Sequence, residues 1–168
     1  MLSFLFRGLT AEPARGAALF DAVTAQARRP AWYVDGGVPD TLDGRFAVLT
    51  TITALLLIRI EREGEAGNAA SVALTERFIE VMESEHRELG FGDPTLGKTV
   101  RKLVGMLARR TELWRGADND WIEATRESLY KGEVAPDVQL KHSAAALRQL
   151  AQRLDATALA ELEQGRIA

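Results

Sequence analysis

Residues Gly92 to Thr99 read GDPTLGKT and match the full G-x-x-x-x-G-K-[ST] pattern of a phosphate-binding loop. In such a loop the backbone N–H groups form a nest around the phosphates, while Lys98 would reach the β and γ phosphates and the Thr99 hydroxyl would hold magnesium. Glu83 and His86 form a second arrangement with chemical spacing, because Glu-x-x-His places a carboxylate and an imidazole on one helix face, as in half of a di-iron carboxylate site. The other half is missing, since the second histidine, His142, is preceded at that spacing by Gln139. Glu83 and His86 therefore read as solvated side chains. With two histidines in the chain and no Ser, His and Asp set in a family-like local setting, no catalytic residue, metal ligand or cofactor is assigned.

The elements around the phosphate-loop string decide its meaning. A working loop follows a buried strand, and its magnesium requires a second apolar strand ending in Asp. The residues ahead of it, LTERFIEVMESEHREL from Leu74 to Leu89, instead place Leu74, Phe78, Val81, Met82 and Leu89 at helical spacing. Glu85 falls at the same angle and is expected on or beside that apolar face. Gly90 suits a helix C-terminus and Pro94 delays any restart. GDPTLGKT thus reads as a tight turn between two helices, with Gly90, Gly92 and Gly97 permitting the reversal and Asp93 capping the second helix.

That second helix, from Thr95 to about Trp114, is sharply divided. Val100, Leu103, Val104 and Leu107 cover one side, and Lys98, Arg101, Lys102, Gly105 and Arg109 the other. A one-signed stripe in an acidic protein is a candidate partner-binding surface. Gly105 at its centre costs about 1 kcal/mol of helix stability relative to Ala, and a small residue there lets another surface approach closely.

The rest of the chain is helical in pattern. Its 168 residues, 46% hydrophobic and 27% charged, suit one all-α domain of about six helices spanning residues 1–168. The net charge of −3 argues against a DNA-binding protein, and the absence of cysteine removes disulfides and thiol chemistry and suits a reducing cytoplasm. The opening MLSFLFRGL is a poor signal peptide, and its apolar residues could form a small hook that touches a membrane. An alanine-rich helix runs to Arg29 with Leu19, Phe20 and Val23 on or near one face, and an ordered connector follows to a cap at Asp40 or Thr41. Leu42 to Glu63 is the most apolar stretch. Arg45 and Arg59 bracket fewer than the ~20 apolar residues a membrane crossing needs, so it reads as the central core helix. GEAGNAA reads as a loop, with Ser71 or a neighbour opening the next helix. Asp118 or Asn119 caps a helix carrying Trp121 and Leu129, and a long helix from about Val138 to Leu154 precedes a short helical tail.

Two motifs in order carry a resemblance. GVPDTLDGRF at Gly37 to Phe46 is followed, after the apolar helix, by an acidic helix running into Arg87, Glu88, Gly90, Gly92, Asp93, Gly97 and Lys98, with Arg101 and Lys102 beyond. Over roughly Trp32 to Trp114 the chain resembles the ubiquinol–cytochrome c chaperone family of cytochrome b assembly factors. The resemblance implies an all-α, non-enzymatic chaperone that binds newly made cytochrome b and promotes assembly of the bc1 complex. It implies a cytoplasmic protein, peripheral at the inner membrane where it meets its client. Helices near Phe46 to Ile60 and Phe78 to Leu89 are the expected walls of an apolar groove, and the Lys98 to Arg109 stripe the expected contact for the ribosome, an anionic membrane surface or a helical protein partner. A helical adaptor unconnected with respiration, and a nucleotide-binding protein using Gly92 to Thr99, are the alternative readings.

Overall fold

A computed structural model of the chain describes residues 16–88, 93–117 and 120–168, with the side chains of residues 86 and 93–96 outside that description. The structure is all-helical. Its elements in chain order are α1 (Ala17–Ala27), α2 (Ala31–Val34), α3 (Leu42–Glu61), α4 (Glu65–Glu88), α5 (Asp93–Arg115), α6 (Trp121–Tyr130), α7 (Asp137–Ala156) and α8 (Leu159–Glu163). The described helices number eight, against about six expected: the connector after Pro30 winds into the one-turn α2, and the expected short helical tail is α8.

The arrangement follows from α3, which is apolar nearly all round and must be covered on every side. It packs against α1, α4, α5, α6 and α7. Thr41 starts it by accepting a hydrogen bond from the Gly44 amide at 3.1 Å, satisfying one of the N–H groups that a helix start leaves free. Three threonines in its middle are buried without cost in orphaned hydroxyls. Thr50, Thr51 and Thr53 each donate to the carbonyl four residues earlier, on Phe46, Ala47 and Leu49, at 2.8 Å. Val48, Ile52, Leu56 and Ile60 then form the apolar spine of the core, each at most 1% exposed. Burying a side chain of this size contributes about 1.5–3 kcal/mol, so the spine alone outweighs several surface ion pairs. Leu19, Phe20 and Val23 of α1, Leu74 and Phe78 of α4, Leu103 and Leu107 of α5, and Leu140, Leu147, Leu150 and Leu154 of α7 close around it. Among the described residues no helix is long and apolar enough to cross a membrane.

Three local expectations are corrected. GEAGNAA is not a loop. Apart from Gly64 it lies in α4, which begins at Glu65 directly after a tight turn in which Gly64 takes a φ of 59°. The glycine in that stretch, Gly67, is helical and sits so close to α3 that a Cβ on it would fall 2.2 Å from the Ile60 carbonyl oxygen. Its lack of a side chain serves the α3–α4 corner rather than a loop. Asp120, not Asp118 or Asn119, caps α6 by accepting the Glu123 amide at 2.9 Å, the two earlier residues lying outside the described ones. Glu85 is exposed, as are Ser84, Arg87 and Glu88, because the last turn of α4 continues past the layer that buries Phe78 and Met82. The apolar opening segment, residues 1–9, also falls outside the description.

Candidate partner-binding surface

Helix α5 begins at Asp93, so the second half of GDPTLGKT is not a turn. Gly97 lies inside the helix with open space around it, rather than at the reversal, and Lys98 and Thr99 follow in the same helix. In a helix, N–H groups from the fifth residue onward point to carbonyls four residues back. The amides of Gly97, Lys98 and Thr99 are therefore committed to the helix, and no phosphate nest can form from them. The expected cap at Asp93 is corrected in the same way, since Asp93 is the first helical residue, and its side chain lies outside the described ones. Gly90 and Gly92 also lie outside them, as does the side chain of His86, so the turn itself and the Glu83–His86 pair go undescribed. Among the described residues no three His, Asp or Glu side chains converge as a metal site.

The basic stripe is present as a physical surface. Lys98, Arg101, Lys102 and Arg109 are all exposed, and their spacing of three, four and eleven residues keeps them on one side of α5. None of the four makes an ion pair among the described residues, in contrast to Arg115 at the end of the helix, which pairs with Glu61 at 2.7 Å. Gly105 sits in the stripe, and a Cβ there would meet only the Arg109 guanidinium at 3.4 Å. Val104 departs from expectation. It is 40% exposed instead of buried, because the inward line of α5 runs through Leu103, Leu107, Thr111 and Trp114 and leaves Val104 to one side.

One arginine of α5 turns inward, which stripe reasoning missed. Arg110 donates from Nη1 to the Thr51 hydroxyl of α3 at 3.1 Å and to the Ser128 carbonyl of α6. Burial lowers its pKa from the ordinary guanidinium value, although it stays far too basic to lose its charge in the physiological range. Trp114 donates to the Ser128 hydroxyl at 2.9 Å. The pair pins α5 to α3 and α6 and so fixes the direction in which the basic stripe faces. The signal was available in the sequence, because Arg110 lies seven residues after Leu103 and shares its angle.

Among the described residues, the expected groove between the Phe46–Ile60 and Phe78–Leu89 helices is closed where the two helices meet. Phe46 and Phe78 meet with ring centroids 6.2 Å apart, Phe20 adds an edge contact to Phe78 at 6.5 Å, and the facing residues are core. Open clefts lie elsewhere. One of about 310 Å³ is floored by Leu55, Ile58 and the Trp114–Trp121 pair and rimmed by the ion pairs Arg62–Asp155 and Arg115–Glu61, both at 2.7 Å. Another of about 250 Å³ lies where Leu57, Thr75, Val104 and Leu107 bring α3, α4 and α5 together.

A family model described as ubiquinol-cytochrome C chaperone matches residues 34–168, which takes in every helix from α3 to α8 and the whole basic stripe. The chain belongs to the ubiquinol–cytochrome c chaperone family. The crystal structure of the Cbp3 homolog from Brucella abortus is similar over 100% of this chain and 96% of that one, at 27% identity and a TM-score of 0.78. No curated protein matches the chain. The match extends well beyond Trp114, where the sequence resemblance ended, so α6 and α7 fall within the family's range rather than forming an appendage to it.

Proposed function

We propose that the chain is a non-enzymatic assembly chaperone that binds newly synthesised cytochrome b and promotes assembly of the ubiquinol–cytochrome c reductase complex. The observation that carries this reading is the family match over residues 34–168. The physics of the task fits the surface. A client made of apolar helices joined by polar loops is held without aggregation by a protein that presents exposed charge and shallow apolar clefts, because such contacts are individually weak and reversible. Lys98, Arg101, Lys102 and Arg109 are the partner-binding residues in this proposal. An attraction built on exposed cations weakens as salt screens it over about 8–10 Å, so release needs no chemical step. The proposed place of work is the cytoplasm at the surface of the inner membrane.

Deleting the chain from its host tests the function. Loss of the bc1 complex, with restoration by the unaltered protein, is expected; normal cytochrome b after deletion would favour an adaptor unconnected with respiration. Charge reversal of Lys98, Arg101 and Lys102 to Glu tests the surface. It is expected to lower capture of cytochrome b while leaving the unfolding midpoint unchanged, since all three side chains are exposed.

A further inference from the structure

Seven large apolar side chains stand exposed among the described residues, and four of them come from two short segments. Val34 and Leu42 flank the connector between α2 and α3, at 75% and 66% exposure, while Val134 lies within the connector between α6 and α7 and Val138 in the first turn of α7, at 93% and 80%. The two connectors are far apart in sequence but are stitched side by side. Tyr130 donates to the Gly36 carbonyl and exchanges a hydrogen bond with Ser143 at 2.9 Å. Gly37 lies so near the Gln139 side chain that a Cβ would fall 2.3 Å from it, and Lys131 pairs with Asp43 at 2.9 Å. The result is one end of the molecule with apolar tips on a pinned base.

The charges beside those tips are not neutral in effect. Three of the cations there are engaged, Arg45 by Asp40 at 2.6 Å, Lys131 by Asp43 and Lys141 by Asp137 at 3.9 Å. Lys102 of α5 acts on Asp43 from the edge, adding to the lowering of its pKa that the Lys131 hydrogen bond dominates. Lys102 is the unpaired cation at that edge, whereas Asp35 and Glu133, next to Val34 and Val134 in the chain, are exposed and make no ion pair among the described residues, so two carboxylates stand beside the apolar tips for a partner. Those two carboxylates disfavour a bare anionic bilayer. An apolar helix whose cytoplasmic flank carries Lys or Arg is attracted at both levels, because membrane helices commonly end in cations on that side.

We infer that the end formed by residues 34–43 and 130–139 docks the cation-flanked cytoplasmic end of an apolar membrane helix, through Val34, Leu42, Val134 and Val138 for the apolar part and Asp35 and Glu133 for the flank. This rests on the chaperone reading and names the part of the client that is held.

The test uses the full chain and two synthetic helices of about 20 Leu and Ala residues, long enough to cross a bilayer, one ending in three lysines and one in three glutamates, each in neutral detergent micelles. The lysine-ended helix is expected to bind about twofold to thirtyfold more tightly, the range that two exposed ion pairs supply. Asp35→Lys with Glu133→Lys is expected to reverse the preference, and serine at all four apolar positions to weaken both peptides alike. Equal binding of the two peptides, or tighter binding to vesicles rich in anionic lipid than to either, overturns the inference. Because every substituted side chain is exposed, an unchanged circular dichroism melt is expected for both variants. Expression in cells that lack the chain separates the two claims. If deletion abolishes the bc1 complex and both variants restore it fully, this surface is not the docking site and the chaperone reading stands. If deletion leaves the complex intact, the chaperone reading itself fails.

Discussion

At the scale of single residues, the same change of glycine to alanine has opposite consequences at positions that look alike in sequence. Gly97 is helical with nothing within 4 Å of an added Cβ, and Gly105 meets only the movable end of Arg109. Gly97→Ala and Gly105→Ala are each expected to raise stability by about 0.5–1 kcal/mol, the helix-propensity difference, measured as a shift in the urea midpoint. Gly67→Ala is expected to lower it by about 1–3 kcal/mol, because its Cβ would press on the Ile60 backbone, which cannot swing aside. A loss of stability at Gly97 would contradict its placement inside α5. Tyr130 is the second informative residue. Tyr130→Phe is expected to cost about 1–2 kcal/mol by leaving the buried Gly36 carbonyl without its donor. Burial raises the Tyr130 pKa above its ordinary 10.0, against a smaller opposing effect of the Ser143 hydrogen bond. A raised folded pKa means the stabilisation is complete below about pH 10 and is lost as pH rises through the folded value. Tyr130→Phe should therefore flatten the stability curve above pH 10 and leave its shape unchanged near neutrality, as a urea titration at each pH would read.

At the scale of elements, the helices were legible because their apolar residues recur at 3.6-residue spacing and the central one is apolar all round. The misreadings have specific causes. The start of α4 resembles a loop because Gly67 and Asn68 are poor helix formers, and only the closeness of α3 explains the glycine. The basic stripe was legible since exposed cations at spacings of three and four need no partner to be recognised. Arg59 was not, because what it does depends on residues nearly a hundred positions away. It is buried in α3 and donates from Nε to the Leu154 carbonyl at 3.0 Å and from Nη2 to the Thr157 carbonyl at 2.8 Å. The Leu154 carbonyl also accepts the Thr157 amide at 3.2 Å, so Arg59 adds a second donor there and supplies one to the Thr157 carbonyl at the end of α7, while Glu63 balances the charge at 2.6 Å. Arg59→Ala is expected to lower stability by about 2–4 kcal/mol, with Arg59→Lys recovering only part, since an ammonium cannot span both carbonyls as the planar fork does. Amide exchange should show the loss concentrated at the α7–α8 corner. Equal stability of Arg59→Ala and the unaltered protein would contradict the capping role.

At the scale of the whole molecule, the fold separates its surfaces. Helix α5 shows cations on one side, the 34–43 and 130–139 end carries apolar tips beside unpaired carboxylates, and shallow clefts lie between α3 and its neighbours. Sequence spacing revealed the first. The other two are products of packing, made when connectors or three helices distant in sequence come together, and no local pattern encodes them. The groove expected between the Phe46 and Phe78 helices failed for the same reason, because the two helices read as its walls meet through Phe46 and Phe78. A partner that reads such a divided surface does so through many weak contacts, and its hold should be short-lived and salt-sensitive. The most direct measurement is pulse-labelling of new chains in the host followed by capture of the tagged protein at successive times. Labelled cytochrome b is predicted in the captured material within the first minutes and to leave it as the bc1 complex forms, with capture reduced by Lys98→Glu, Arg101→Glu and Lys102→Glu together. Captured material free of cytochrome b at every time, in cells whose bc1 complex assembles normally without the chain, would contradict the account.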